Sequence, residues 1–321
     1  MRLVLGVLAV GVALGGCSSG TPDPPRRASP SPVSPSPVAD ASDGCGRRSP
    51  GTGRHAFGGR PYALTLPPYD GRTPVPLVLD LHGLNSNAFQ QALYGRMASA
   101  GPQRGFAVVQ PEAARGRGGW KLPGMTGGDA DVAYVGRLLD HLEGTLCVDR
   151  RRVFATGFSN GAGLSAALVC GLRGRLAAVA PVAGLNLARP CAGARPTTIV
   201  AFHGTGDPVV PYGGGEPFGG DRARIPAWMR PVDGVFALPP VPAVAGQWAR
   251  TFGCGPGERS TVGGEVRRVR YAGCRDGVRV ELHTVAGGGH SWPGSFSIGA
   301  GAATARVDAT RLALDAFAGT R

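Results

Sequence analysis

Short apolar runs alternate along this chain with longer stretches in which apolar residues recur at three- and four-residue spacing. Val75 to Leu81 reads Val-Pro-Leu-Val-Leu-Asp-Leu, the kind of run buried on both faces of a parallel sheet. Phe106 to Val109, Val153 to Thr156, Ala177 to Val182 and Thr197 to Phe202 share that character, and Val266 to Tyr271 and Val278 to Val285 add later strands. Between them, helical periodicity runs through Phe89 to Ala100, through Val132, Val135, Leu138, Leu139, Leu142 and Leu146, and through Pro240 to Thr251 and Ala302 to Phe317. Tyr62 to Leu66 alternates and is expected to form an early edge strand. Strands that alternate with helices predict an α/β fold: a mostly parallel sheet with helices on both faces.

The first 44 residues stand outside this pattern. Arg2 precedes an apolar run from Leu3 to Leu14, long enough for a signal-peptide core and too short for a permanent membrane span. The run ends in Leu14-Gly15-Gly16-Cys17, which resembles a bacterial lipobox. Cleavage there would remove residues 1–16 and leave Cys17 as a lipid-bearing first residue. Residues 17–44 are rich in Pro and Ser and read as a tether, because they bury too little apolar surface to offset the entropy of ordering. Residues 45–321 remain, a comfortable size for one core. The expected location is the outer face of the bacterial cell membrane, held by the lipid, or the medium beyond.

Beyond Cys17 the chain carries Cys45, Cys147, Cys170, Cys191, Cys254 and Cys274, an even number in a chain expected to be exported. Proximity favours Cys254 with Cys274 and Cys170 with Cys191, leaving Cys45 with Cys147. No C-x-x-C pair occurs and no histidines gather near the cysteines, so no metal site is expected. The net charge of +13 invites a nucleic-acid reading. Yet Lys121 is the only lysine, and apart from the run Arg150-Arg151-Arg152 the arginines are scattered singly or in pairs, as on a solvated surface. No nucleic-acid partner is expected.

The candidate chemistry lies at Gly157-Phe158-Ser159-Asn160-Gly161, a G-x-S-x-G run between an apolar strand and an Ala/Leu-rich helix. The flanking glycines allow a sharp turn with Ser159 at its apex. Downstream, Asp207 leaves the end of the strand Ile199 to Phe202, and His290 follows Gly287-Gly288-Gly289 in what reads as a mobile loop. Serine, acid, histidine is the chain order of α/β-hydrolases, and it assigns Ser159 as nucleophile, His290 as base and Asp207 as the acid that orients it. His82 and His203, each beside a glycine at a strand end, are read as structural, and Asp129 and Asp131 as caps of the following helix. Backbone N–H groups of Asn160 and Leu84 are the candidate oxyanion donors. Residues 213–240, rich in Gly and Pro, are expected to form a loop over the rim of the site.

These motifs resemble the exported esterases related to polyhydroxybutyrate depolymerases and feruloyl esterases. The resemblance runs from about residue 45 to 320 and rests on Leu81-His82-Gly83, Trp120, Asp131-Val132-Ala133-Tyr134, Cys147-Val148-Asp149, Arg152 to Gly161, Ala180 to Gly184, His203 to Asp207 and Gly288 to Gly294. It implies hydrolysis of a carboxylic ester through an acyl-enzyme, with no cofactor, on a phenolic, acetyl or short hydroxyalkanoate ester. The cysteine placement is also similar to that of secreted feruloyl esterases. Ala162, where another small residue is common, and the content of 213–240 depart from the pattern, and the second leaves the acyl pocket open. Trp120, Trp228 and Trp292 are candidates to stack on substrate there. From a different class, a catalytically silent surface lipoprotein that binds cell-wall glycan or a protein partner remains the alternative, against which an intact Ser, Asp and His set argues.

Overall fold

The computed structural model describes residues 40–320, apart from 232, 233, 235 and 265. The leader 1–16 and Cys17 lie outside the described residues. A ten-stranded sheet organises the rest. At its centre lie β3 (Val75–Leu81), every residue of which is buried, and β5 (Val148–Phe158). β4 (Ala107–Pro111), β3, β5, β6 (Ala178–Val182), β7 (Thr198–Gly204) and β10 (Val280–Val285) run parallel in that spatial order. An antiparallel hairpin closes each edge: β1 (Gly53–Phe57) with β2 (Arg60–Thr65), and β8 (Gly257–Val262) with β9 (Val266–Tyr271).

Because side chains alternate along a strand, the parallel strands present two apolar faces. On one, Leu77, Leu79, Ala155, Val179 and Ala201 join the cluster formed with α3 (Asp129–Thr145), α4 (Asn160–Gly171) and α5 (Val241–Thr251). On the other, Val78, Val108 and Phe154 pack against Met97 of α2 (Met97–Ala100) and against Leu314 and Phe317 of α6 (Ala309–Ala318). Tyr94 of α1 (Ala88–Gly95) lies on that second face with Phe158 and Phe202. Each such large side chain contributes about 2 kcal/mol when fully buried.

The differences from the expected elements have local causes. The early strand is not an edge, because Gly58 and Gly59, at φ 57° and 75°, turn the chain back into β1 outside it. Gly263 and Gly264, at φ 60° and 80°, likewise precede β9 and leave β8 as the far edge. The first helix breaks at Arg96, which takes φ 53° and closes α1 through its N–H on Ala92 O. The closing helix starts only at Ala309, where Asp308 caps it through Arg311 N–H; the residues before it run beside the His290 loop instead, with Gly289 N–H on Ala302 O at 2.8 Å.

The folded region also begins earlier than composition suggests. Ala41 bridges to Asp149, and the buried Ser42 hydroxyl donates to Leu146 O at 2.6 Å, so residues 40–44 are fastened to the start of β5. The disulfides join Cys45 to Cys147, Cys170 to Cys191 and Cys254 to Cys274.

One polar group is buried in the sheet without a counter-charge at hand. The Asp80 carboxylate is fully buried and is held by Gln91 Nε2 and Gln110 Nε2, each at 2.7 Å. Burial outweighs those two donors and pushes its pKa from 3.8 up to about 7. Between those values the native state keeps a proton that the unfolded chain has released, so this group's contribution to stability falls as pH rises through the window. Asp80→Asn, with one glutamine amide turned over to accept, should therefore gain on the unsubstituted protein by about 1 kcal/mol or more between about pH 5 and pH 8. Urea unfolding of both proteins across that range measures it, and a pH-independent difference would contradict it.

Candidate active site

β5 runs directly into α4, and Ser159 sits between them at φ 53°, ψ −116°. A non-glycine residue there carries a strain of about 1–3 kcal/mol, which the surrounding contacts must over-determine. They do so through backbone: Ser159 N–H donates to Val182 O at 2.9 Å, and Gly163 N–H returns to Ser159 O at 3.0 Å. The turn also passes very close to the end of β3. A Cβ on Gly157 would lie 2.7 Å from Leu81 O and 2.6 Å from Gly161 O, and one on Gly161 would press on Leu81 O and, at 2.5 Å, on His82 O. Glycine is needed at both positions for proximity, not for an unusual φ.

Asp207 and His290 come from the loops that follow β7 and β10, on the same edge of the sheet as Ser159, where open α/β sheets place their sites. His290 Nδ1 donates to Asp207 Oδ2 at 2.7 Å, which directs Nε2 away from the acid. The other carboxylate oxygen accepts from Val209 and Val210 N–H, both at 2.8 Å. His203 is closer to the chemistry than its structural reading implied: its Nε2 donates to Val210 O at 2.8 Å and lies 3.2 Å from Asp207 Oδ2. Burial raises the Asp207 pKa, but the hydrogen bonds and charges of His203 and His290 outweigh it and hold the acid well below the usual carboxylate range. The His290 loop is stitched down, with His290 N–H on Ala300 O at 2.8 Å, and is no free flap.

Ser159, Asn160, His290, Gly83 and Leu84 line one cavity of about 510 Å³. Its walls are mostly apolar: Leu93, Tyr94, Phe158, Leu187, Met229, Phe236, Phe296 and Ile298. Pro217, Phe218 and Arg224 join Met229 and Phe236 from the 213–240 segment, which does cover the rim.

The three candidate tryptophans do not form this wall. Trp120 and Trp292 are completely buried, and Trp228, near Gly119 and below Arg117, is absent from the lining. Trp292 Nε1 donates to Thr310 Oγ1 at 2.9 Å and packs beneath α1. Trp120 has a different task. Its indole N–H donates to His82 O at 2.9 Å, while its backbone N–H and O hold both ends of the Asn160 amide at 2.6 and 2.9 Å. It thus staples the 82–84 loop to the start of α4. Asp131 supports the staple: it does not cap α3, since its buried carboxylate accepts from Lys121 N–H and from Arg60 and Arg117 at 2.6–2.8 Å. Asp129 lies in the first turn, and the N-cap is Gly128 with no side-chain bond.

Comparison with known proteins gives the family. Residues 60–210 match the family model described as esterase PHB depolymerase, a span that holds Ser159 and Asp207 and stops before His290. A probable feruloyl esterase C of Aspergillus niger is 33% identical over 200 residues, 58% of this chain and 71% of that protein. The chain belongs to this esterase family. A feruloyl esterase C of Emericella nidulans is 35% identical over 54% of this chain and 65% of its own length. Feruloyl esterase B of Piromyces equi is 31% identical over 70% of this chain but only 41% of its own length. An acetyl xylan esterase from Aspergillus awamori shares the fold, with a TM-score of 0.52 over 72% of this chain and 89% of that one, at 15% identity.

In this esterase the stapling of two loops makes a specific demand. Trp120→Phe keeps the packing but leaves His82 O without its donor, and should lower stability by about 1 kcal/mol together with a several-fold loss in kcat on a small ester. Gly157→Ala should unfold the elbow, because its Cβ meets backbone oxygens that cannot move aside. Thermal unfolding and ester turnover of the two purified variants check both expectations; a Gly157→Ala protein with unaltered Tm would refute the close-approach argument.

Proposed function

We propose that this chain is an exported serine carboxylesterase that works through an acyl-enzyme. The observation that carries the reading is a serine at a strained elbow, opening into the same cavity as a histidine whose Nδ1 is fixed on a buried carboxylate at 2.7 Å. Ser159 Oγ attacks the ester carbonyl carbon as its proton passes to His290 Nε2; the tetrahedral oxyanion is met by the Asn160 and Leu84 N–H groups, each worth about 3 kcal/mol in the transition state. The alkoxide leaves with the proton from His290. Water then attacks the acyl-enzyme, again giving its proton to His290, and the acid departs as Ser159 is restored. Asp207 holds the imidazole in the tautomer this requires.

The relatives are named for feruloyl esters, and the fold neighbour for acetyl xylan. A cavity walled by Tyr94, Phe158, Phe236 and Phe296 suits an aromatic or several-carbon acyl group better than acetyl. Three disulfides favour an oxidising compartment, in line with export, and the Cys17 motif adds a lipid anchor to this proposal. Fractionation of cells that express Cys17→Ala tests the anchor, since unchanged membrane retention would remove it. For the chemistry, Ser159→Ala should lose about 10⁴-fold or more in kcat on 4-nitrophenyl butyrate with an unaltered fold. Equal rates in both proteins would leave the silent binding protein as the better reading.

A further inference from the structure

Among the described residues, the segment 213–240 brings one permanent cation to a cavity lined otherwise by uncharged side chains and His290. Among the described lining residues Arg224 is the only Arg or Lys, and none is an Asp or Glu. Its guanidinium carbon lies 5.0 Å from the centre of the Phe218 ring, within the range of a cation–π contact. Phe218 is itself held in an uncommon conformation, φ 56°, with its N–H on Val209 O at 2.9 Å, two residues beyond Asp207. Strain of this kind clusters where a side chain must be aimed. The described acids of the segment are engaged elsewhere: Glu216 accepts from Arg222 at 2.6 Å, and Asp221 Oδ1 caps the turn 222–224 through Ala223 N–H.

Arg224 is exposed at the rim of this cavity, with its guanidinium against the Phe218 ring and facing both solvent and the apolar wall. We infer that Arg224, stacked on Phe218, is an anion-recognition subsite and that this esterase prefers esters that also carry a carboxylate. This deepens the serine-esterase reading and rests on it. The planar guanidinium is weakly hydrated and binds a carboxylate through two parallel N–H donors. Because Arg224 is exposed, solvent and salt screen that attraction, and it discriminates through geometry as well as charge. A half-ester of a dicarboxylic acid would offer the carboxylate on the acyl side, and an acylated hydroxy acid would offer it on the alcohol side. Arg224 recognises the same chemistry in either.

Two substrate pairs separate these sources: mono-4-nitrophenyl glutarate against 4-nitrophenyl butyrate, and 4-acetoxybenzoate against phenyl acetate. The quantity read is the ratio of kcat/KM for the charged member to that for the neutral one, in the full chain and in Arg224→Gln. A fall of about tenfold in that ratio is expected for one pair, and the pair in which it falls assigns the side. Arg224→Lys should keep part of the ratio, and raising ionic strength should shrink it in the unsubstituted enzyme but not in Arg224→Gln. An unmoved ratio in both pairs, with neutral esters still turned over, overturns the anion subsite alone. Failure of the unsubstituted protein to hydrolyse any of the four esters overturns the serine-esterase reading and the subsite with it.

Discussion

The bend between β5 and α4 lies so close to the end of β3 that no side chain fits between them. Leu81 O and His82 O occupy the space that a Cβ on Gly157 or Gly161 would need. Everything at the site inherits its position from this contact. It sets Ser159 at the apex, brings the 82–84 loop beside the first N–H of α4, and leaves Asn160 where Trp120 can grip it. The main-chain donors proposed for the oxyanion can be aimed only by placing whole segments, which excluded volume does on one side and the tryptophan staple on the other.

The parallel centre of the sheet was legible in the residues because its strands are largely buried, and β3, β6, β7 and positions 153–158 of β5 read as mainly apolar runs. The strands that escaped were β1 and β8. Both are outer legs of glycine-turned hairpins with largely exposed side chains, so neither leaves a hydrophobic trace, and only Gly58-Gly59 and Gly263-Gly264 mark them. The break at Arg96 left no trace either, since apolar spacing continues through it. The late start of α6 could have been read from Asp308, an N-cap residue type that the periodicity from Ala302 obscured.

At the site, the pairing of Asp207 with His290 followed from chain order and strand ends, which depend on topology rather than on packing detail. The pocket did not follow. Trp120 and Trp292 were judged by what an indole can stack on, but a residue type does not say which side of a loop faces solvent. Their N–H groups instead satisfy buried oxygens of His82 and Thr310. Beside Tyr94 of α1 and Phe158 of β5, the rings of the wall come from Phe218, Phe236 and Phe296, in Gly- and Pro-rich stretches where no periodicity exists to place them. His203 shows the converse: an ordinary strand-end histidine lies 3.2 Å from Asp207 Oδ2 while its Nε2 donates to Val210 O, a placement no residue pattern announces.

The bridge between Cys45 and Cys147 spans 102 positions along the chain and lands at the foot of β5. A mechanical load that enters ahead of Asp40 would cross from Cys45 to Cys147 and pass straight into β5, the strand that leads into Ser159. The first hairpin, β3, β4 and α1 to α3 lie inside the covalent loop and are shielded from that load. The molecule can be tugged from its N-terminal side without peeling the sheet open from its edge.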